Sequence, residues 1–231
     1  MNILQLCNKI PFPPKDGGCI AMNNLTQGLI TEGHSVKVFV INTQKHFTAI
    51  EKLPLDYRSK TKIEGVFVDT EIKVTTAFFN LFTNKSYHTQ RFYSKLFETK
   101  LIEILEKENF EIVQLESLYM SIYVDTIRKY SKAKIVLRAH NVEHKIWERA
   151  AQLIQTPLKK TYLKLLATRL KQYELNSLQT FDAIATITKE DELYFKKSEC
   201  NCGWRSGKCT RIYSIKRGYD CAFAFGWWYA C

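Results

Sequence analysis

Several features are missing from the 231-residue sequence, and each absence excludes a class of protein. No run of about 18 apolar residues occurs, which excludes the usual transmembrane helix. The N-terminus lacks a charged start, a long apolar core and a small-residue cleavage site, so we expect no signal peptide and a cytoplasmic protein. Without a Gly-x-Gly-x-x-Gly segment, the common nicotinamide and flavin dinucleotide fingerprint is also excluded.

Acidic residues are also scarce, with 23 Asp and Glu against 34 Lys and Arg, a formal net charge of +11. Such a balance favours association with nucleic acid, anionic membrane surfaces or phosphorylated substrates. The basic residues are spread along the chain, however, and no RNP, zinc-finger or helix-turn-helix signature accompanies them. Because a charge bias without a binding module is weak support, we expect no nucleic-acid partner.

Cysteine is unevenly distributed. Cys7 and Cys19 lie near the N-terminus, whereas the other five cysteines and three of the four tryptophans lie within 200–231. This shift in composition predicts a domain over 1–199 and an aberrant, poorly ordered tail over 200–231. The Cys-x-Cys spacing in the tail differs from the Cys-x-x-Cys pairs of zinc ribbons, and a reducing cytoplasm disfavours disulfides.

Apolar segments of two periodicities alternate along the chain. Short runs typical of strands occur at 3–6, 36–41, 66–68, 72–74, 111–116, 133–140 and 181–187. Helical spacing occurs at 21–29, 89–108, 122–130 and 142–179, the last divided by Pro157. This alternation predicts an α/β fold, with a doubly wound, mostly parallel Rossmann-like sheet and helices on both faces.

A loop rich in proline and glycine connects the first strand to the first helix. The segment Pro11-Phe-Pro-Pro-Lys-Asp-Gly-Gly18 ends in two glycines, at the point where open parallel sheets bind ligands. A helix N-terminus of this kind lets backbone N–H groups approach an anion. We therefore expect Asp16, Gly17 and Gly18 to form a loop facing the phosphates of a nucleotide or sugar. The alternative is a plain pair of turn glycines.

The densest polar cluster, Arg138-Ala-His-Asn-Val-Glu-His144, follows a predicted strand. We expect His140 to contact a substrate oxygen or phosphate. Two alternatives are that Asn141 caps the next helix, and that His140, Glu143 and His144 bind a metal. The spacing differs from His-Glu-x-x-His, so no metal site is predicted.

Two further groups of residues have both a structural and a functional interpretation. Tyr119 and Tyr123 follow the strand ending at Glu116, where they line an acceptor pocket or belong to the core. Five basic residues lie on the predicted helix over 158–178, where they form a solvated face or dock on an anionic membrane. They are Lys159, Lys160, Lys164, Arg169 and Lys171.

Taken in order, several motifs resemble an enzyme family. They are Pro11-x-Pro-Pro-x-x-Gly-Gly18, Gly33-His34 before an apolar strand, Arg91-Phe-Tyr93, the strand at 112–115, Arg138-Ala-His-Asn-x-Glu143 and Trp147-Glu-Arg149. Together they resemble the N-terminal, acceptor-binding domain of the retaining family-four glycosyltransferases over about residues 1–199. That family has the GT-B fold, in which two Rossmann-like domains face each other across a cleft.

The resemblance implies roles for the matching residues. Gly17 and Gly18 would approach the donor phosphates and the acceptor, and His140 would contact the transferred sugar as a catalytic residue. We expect Arg138, Asn141, Glu143, Tyr119 and Tyr123 to bind the acceptor. Retaining members of the family use no metal, and the nucleotide-sugar is a substrate, so we expect no cofactor.

The expected function follows from the same resemblance. It is sugar transfer from a nucleotide-sugar to a glycan or lipid-linked acceptor in cell-surface polysaccharide synthesis, at the inner face of the membrane. The family's donor-binding segment has no counterpart in residues 200–231, so we expect the chain to be inactive without a separate C-terminal donor domain. The alternatives are a binding-only or non-functional remnant and, less favoured, a basic nucleic-acid-binding α/β module.

Overall fold

A seven-stranded, entirely parallel sheet forms the centre of the molecule. The computed structural model describes residues 1–71, 86–201 and 211–214, without the side chains of 199–201 and 214. The strands are β1 Asn2–Cys7, β2 Ser35–Asn42, β3 Glu64–Phe67, β4 Ile112–Glu116, β5 Lys134–Ala139, β6 Ala183–Thr186 and β7 Arg211–Ser214. Their order, β3-β2-β1-β4-β5-β6-β7, confirms the predicted doubly wound Rossmann-like sheet.

Helices cover both faces of the sheet. They are α1 Gly17–Thr31, α2 Leu55–Thr61, α3 Tyr87–Gln90, α4 Lys95–Lys107, α5 Val124–Tyr130, α6 Glu143–Leu153, α7 Pro157–Ser177 and α8 Lys189–Asn201. Short 3₁₀ turns lie at Gln44–His46, Ile50–Lys52, Leu118–Tyr123 and Leu178–Thr180. Helix α1 packs on one face through Met22 and Leu25, and α4 and α5 pack on the other through Phe97 and Ile127.

The central strands are apolar because they are buried on both faces. In β2 every residue from Val36 to Asn42 is buried. On one face Phe39 stacks on Phe97 of α4, with ring centroids 4.2 Å apart, and Phe97 contacts Tyr123. Strands β1, β2 and β4 therefore contribute side chains to both core layers, one on each face of the sheet.

Sequence signals set the ends of α1. The Asp16 side chain accepts a hydrogen bond from the Cys19 N–H at 2.9 Å, as a favoured N-cap residue does. At the other end Gly33 adopts φ +80°, a conformation that strains any residue with a side chain. The helix ends there, as the pattern predicts, and β2 begins two residues later.

The helix predicted over 89–108 is wrong at its start. The structure has α3 over Tyr87–Gln90, a break, and then α4 over Lys95–Lys107. The break occurs because Ser94 caps α4, its side chain accepting from the Phe97 N–H at 3.4 Å, while its own N–H donates to the Tyr123 hydroxyl at 2.9 Å. Pro157, in contrast, divides 142–179 as predicted and starts α7.

The strand expected at 72–74 lies outside the described residues. Helix α8 runs to Asn201, and Arg211–Ser214 pairs with β6, so four residues of the expected tail belong to the sheet. The division of the chain at residue 199 stays a prediction. Within the described ranges, no helix is both long and apolar enough to cross a membrane.

The stacked pair at the centre of the core provides a stability prediction. We expect Phe39→Ala to lower the free energy of unfolding by about 3–5 kcal/mol, because it leaves a cavity beside Phe97. Leu55→Ala, at a side chain that is 75% exposed, should cost less than about 0.5 kcal/mol. Urea denaturation followed by circular dichroism measures both variants. Equal losses of stability in the two would contradict this assignment of the core.

Candidate active site

Three neighbouring strands bring the predicted site segments to one edge of the sheet. Strands β1, β4 and β5 are adjacent and parallel, so their carboxyl ends, at Cys7, Glu116 and Ala139, lie at the same edge. The loop to Gly18 follows β1, and His140 follows β5 directly. Ligands of open α/β sheets bind in the crevice outside this edge.

The buried carboxylate of Glu116 organises this edge. It is fully buried and lies between β1 and β5. One carboxylate oxygen accepts from the Gln5 and Gln114 side-chain amides, at 2.8 and 2.5 Å. The other contacts Arg138 at 3.1 Å and His140 Nε2 at 2.7 Å. This full set of partners compensates the cost of burying a charge.

The same contacts set the protonation of Glu116. Burial alone would raise the pKa of its carboxyl, but the Arg138 charge and the hydrogen bond from His140 outweigh burial and lower that pKa to about 2. Glu116 is therefore ionised at neutral pH and only accepts hydrogen bonds, so Nε2 of His140 is the donor. The bond fixes the orientation of the ring and leaves Nδ1 for a ligand.

A hydrogen bond connects helix α1 to the same network. The Thr26 hydroxyl of α1 donates to the Gln5 side-chain oxygen at 2.6 Å, and both residues are fully buried. Because Gln5 also donates to Glu116, the helix that carries the glycine loop and the strand that carries His140 are linked through buried polar groups.

The loop before α1 is held by an ion pair. Lys9 contacts Asp16 at 2.7 Å, and its hydrogen bond is the main reason that the pKa of Asp16 lies well below its ordinary value. Gly17 and Gly18 form the first turn of α1, and neither has a positive φ. A Cβ atom at Gly17 would meet nothing within 4 Å, so packing in the described residues does not require glycine there.

Tyr119 and Glu143 meet beside this edge. The Tyr119 hydroxyl donates to Glu143 at 2.8 Å, and Trp147 Nε1 lies 3.4 Å from that hydroxyl. Burial raises the pKa of the Glu143 carboxyl, while the hydrogen bond from Tyr119 and the charge of His140 act in the opposite direction. Two of the predicted acceptor-binding residues are thus in direct contact.

Other predicted residues are not part of this group. Tyr123 is fully buried in the core, where its hydroxyl donates to the Phe92 carbonyl at 2.7 Å. Arg138 is also buried, against Glu116. Asn141 is exposed, and its interpretation as a helix cap is wrong because Val142 occupies the cap position of α6.

Glu174 takes the place of a local cap for α6. This buried residue of α7 accepts from the backbone N–H groups of Glu143 and His144, at 2.9 and 3.0 Å. It also contacts His144 Nδ1, while His144 Nε2 lies 2.9 Å from the Tyr194 hydroxyl. Both ring nitrogens of His144 are therefore engaged away from His140, and the metal-binding alternative has no geometric support among the described residues.

A strained residue lies beside Glu116. Ser117 adopts φ +102° and ψ +149°, a region that glycine occupies far more readily than other residues. Its N–H donates to the Arg138 carbonyl at 3.2 Å, and its side chain accepts from Tyr119 N–H at 3.3 Å. The strain accompanies the sharp exit of the chain from β4 at the candidate site.

The network residues Gln5, Glu116 and Glu174 lie outside the motifs singled out in the sequence. A usable signal exists for the first two, because each is a polar residue in a short strand whose other residues are mostly apolar and buried. Buried polar residues of this kind need hydrogen-bond partners, so they are candidates for a buried polar network. Glu174 carries no comparable signal, since its position on a long basic helix is typical of a solvated residue.

Several solved glycosyltransferase structures match the fold of this chain. The chain matches apo UGT2 of Phytolacca americana with a TM-score of 0.55 and 11% identity, over 98% of this chain and 54% of that one. UGT71G1 of Medicago truncatula, complexed with UDP-glucose, matches with a TM-score of 0.51 and 11% identity, over 94% and 52%. A UGT transferase of Siraitia grosvenorii in complex with UDP matches with a TM-score of 0.50 and 10% identity, over 93% of this chain and 51% of that one.

The chain has the Rossmann-like α/β fold found over about half of each of these structures. The chain spans about half the length of each of these three structures. No family model matches the chain, and no curated protein matches it. At identities of 10–11%, the likeness to the solved structures shows the fold.

The ionised state of Glu116 predicts a specific loss of stability in acid. Its pKa is lowered from 4.5 to about 2, so it contributes about 3 kcal/mol to the free energy of unfolding above pH 4.5. This contribution is lost as the pH falls from 4.5 towards 2. Glu116→Gln, which leaves Arg138 without its counter-charge, should cost about 3–5 kcal/mol at neutral pH and remove this part of the pH dependence. Urea titrations across this pH range measure both effects.

The matched control for that experiment is Glu103→Gln on α4, at an exposed residue. Its stability should stay within about 0.5 kcal/mol of the wild-type chain, with the same dependence on pH. If Glu116→Gln kept the wild-type slope between pH 4.5 and 2, the assignment of Glu116 as the titrating group would be wrong.

Proposed function

We propose that this chain is the acceptor-binding half of a glycosyltransferase. The complete enzyme transfers a sugar from a nucleotide-sugar donor to a glycan or lipid-linked acceptor in cell-surface polysaccharide synthesis, with retention of configuration. The observation that carries the proposal is His140, oriented by the buried Glu116 at the carboxyl edge of the sheet. The half-length match to glycosyltransferases solved with UDP-glucose or UDP supports it.

In this proposal His140 contacts the sugar at the reacting centre. Because Nε2 donates to Glu116, Nδ1 is the ring nitrogen left to face a sugar hydroxyl. Glu116 keeps the ring in place without taking part in the transfer itself. Arg138 has the same supporting role, since its buried guanidinium holds Glu116 ionised.

The first turn of α1 approaches the phosphates of the donor. The N–H groups of Gly17 and Gly18 and the positive end of the α1 dipole suit an anion. Asp16 is engaged with Lys9 and Cys19, so its role is to hold the loop in shape. The open space beside Gly17 lets a ligand come close to the backbone.

The acceptor lies against Tyr119, Glu143 and the exposed Asn141. The Tyr119 hydroxyl and the Glu143 carboxyl, already hydrogen-bonded to each other, offer a polar edge to a sugar hydroxyl. The nucleotide of the donor is held by a second Rossmann-like domain, on the same polypeptide or a separate one. The proposal involves no metal and no cofactor besides the nucleotide-sugar.

Binding of the acceptor should depend on Asn141, the exposed residue placed against it. We expect Asn141→Ala to weaken binding of a saccharide or lipid-linked saccharide by about 10-fold, the value of one or two lost hydrogen bonds. Saturation-transfer NMR against a panel of oligosaccharides, polyprenyl-phosphate saccharides and single-stranded RNA measures this. The control is His34→Ala, at the loop before β2 on the opposite edge of the sheet. Binding of RNA alone would favour the nucleic-acid alternative, and binding of no ligand would favour the non-functional remnant.

Sugar transfer should need the donor domain. Catalysis requires donor and acceptor to be held in near-attack geometry, so the 231-residue chain by itself should give no transfer from radiolabelled UDP-glucose to any acceptor it binds. Turnover by this chain that disappears in His140→Ala would contradict the assignment of the chain as an acceptor-binding half, while retaining His140 as a site residue.

A further inference from the structure

Helices α6 and α7 pack against each other as a hairpin whose far end is exposed. Its base lies at the candidate site, where Glu174 of α7 caps the first turn of α6. From there α6 runs for 11 residues, which is about 16 Å, to the connection at 154–156. In α7 the buried residues are Leu166, Leu170 and others in its C-terminal half, whereas 157–165 is mostly exposed. The end of the hairpin therefore stands clear of the core.

Two leucines at this end are almost fully exposed. We define the hairpin tip as residues 152–160, in which Leu153 is 82% and Leu158 is 86% exposed. Positions seven apart share one face of a helix. Ile146 lies seven positions before Leu153 on α6, and Leu165 lies seven positions after Leu158 on α7; their side chains are 40% and 37% exposed. The apolar residues thus form a stripe along each helix that ends at the tip.

The charge around the tip has one sign. Between Glu148 and Glu174 the chain has six basic residues and no acidic one. Lys159 and Lys164 are exposed and Lys160 is half-buried, and all three lie on the first two turns of α7 beside Leu158. A protruding apolar pair with basic residues around it complements a surface that is apolar inside and anionic outside.

We propose that the hairpin tip docks on an anionic lipid surface. Leu153 and Leu158 enter the boundary between headgroups and acyl chains, and Lys159, Lys160 and Lys164 contact the anionic headgroups. Side chains as exposed as these two leucines protrude from the surface, and so they do not line a groove for a peptide or a protein helix. Docking at the tip does not depend on the proposed sugar transfer, although it would place the carboxyl edge of the sheet near a lipid-linked acceptor.

Vesicle binding by the full chain tests the proposal. The wild-type protein should co-sediment with vesicles of phosphatidylglycerol and phosphatidylcholine, and weakly with phosphatidylcholine alone. Replacing Lys159, Lys160 and Lys164 together by Gln should lower the partition coefficient by about 100-fold, since each basic residue near the surface contributes about a factor of five. Leu153→Ser with Leu158→Ser should lower it by about 10-fold or more.

Matched control variants are available elsewhere on the surface. Lys52, Lys100 and Lys132 are exposed, and their joint replacement by Gln removes the same charge as the change at the tip. Leu55→Ser with Leu96→Ser matches the leucine change, since both of these leucines are also exposed. The leucine control should bind vesicles as the wild-type chain does, and the lysine control should lose far less affinity than the tip variant. Circular dichroism and thermal melting confirm that each variant is folded.

Hydrogen exchange locates the contact. Anionic vesicles should protect the amides of 152–160 and leave the loop at 8–16 unchanged. The proposal is overturned if the wild-type chain does not bind anionic vesicles, if tip and control variants bind equally, or if protection falls on another segment. A further outcome would also overturn it: the wild-type chain self-associates without binding vesicles, and the leucine variant no longer self-associates. The tip would then be a contact with a second copy of the chain. Saccharide binding by the tip variants should be unchanged, so failure of this proposal is distinguishable from failure of the proposed function.

Discussion

The buried carboxylate of Glu116 is the interaction on which the functional edge of this molecule depends. A buried charge between strands of a parallel sheet is unfavourable unless neighbouring residues supply hydrogen-bonding or charged partners. Here β1 supplies Gln5 and β5 supplies Arg138, and His140 follows β5 directly. The cost of burying the carboxylate is therefore offset by the groups that define the site, which couples the stability of the sheet to the orientation of the histidine.

A second buried carboxylate, Glu174, organises the neighbouring region in a similar way. It satisfies the first N–H groups of α6, which has no side-chain cap of its own, and it contacts His144. The result is a rigid base for the hairpin formed by α6 and α7, on the same edge of the sheet as His140. The candidate site and the basic, leucine-tipped hairpin are thereby held on one side of the molecule.

Much of the architecture could be predicted from local patterns because the responsible forces are local. The alternation of apolar periodicities predicts the parallel sheet, Gly33 predicts the end of α1, and Pro157 predicts the start of α7. The helix predicted over 89–108 fails at its start for the opposite reason. Its break at Ser94 depends on the hydroxyl of Tyr123, which is distant in sequence and whose position only the packed core determines.

The candidate site could likewise be predicted only in part from the sequence. The sequence by itself determined that a glycine loop and His140 follow strands of a parallel sheet, since strand order along the chain and right-handed crossovers place such segments at the carboxyl edge. Only the tertiary structure decided that Tyr123 belongs to the core and that Glu116 holds His140. Burial and long-range hydrogen bonds depend on which strands become neighbours, and neither is encoded in the spacing of residues along one segment.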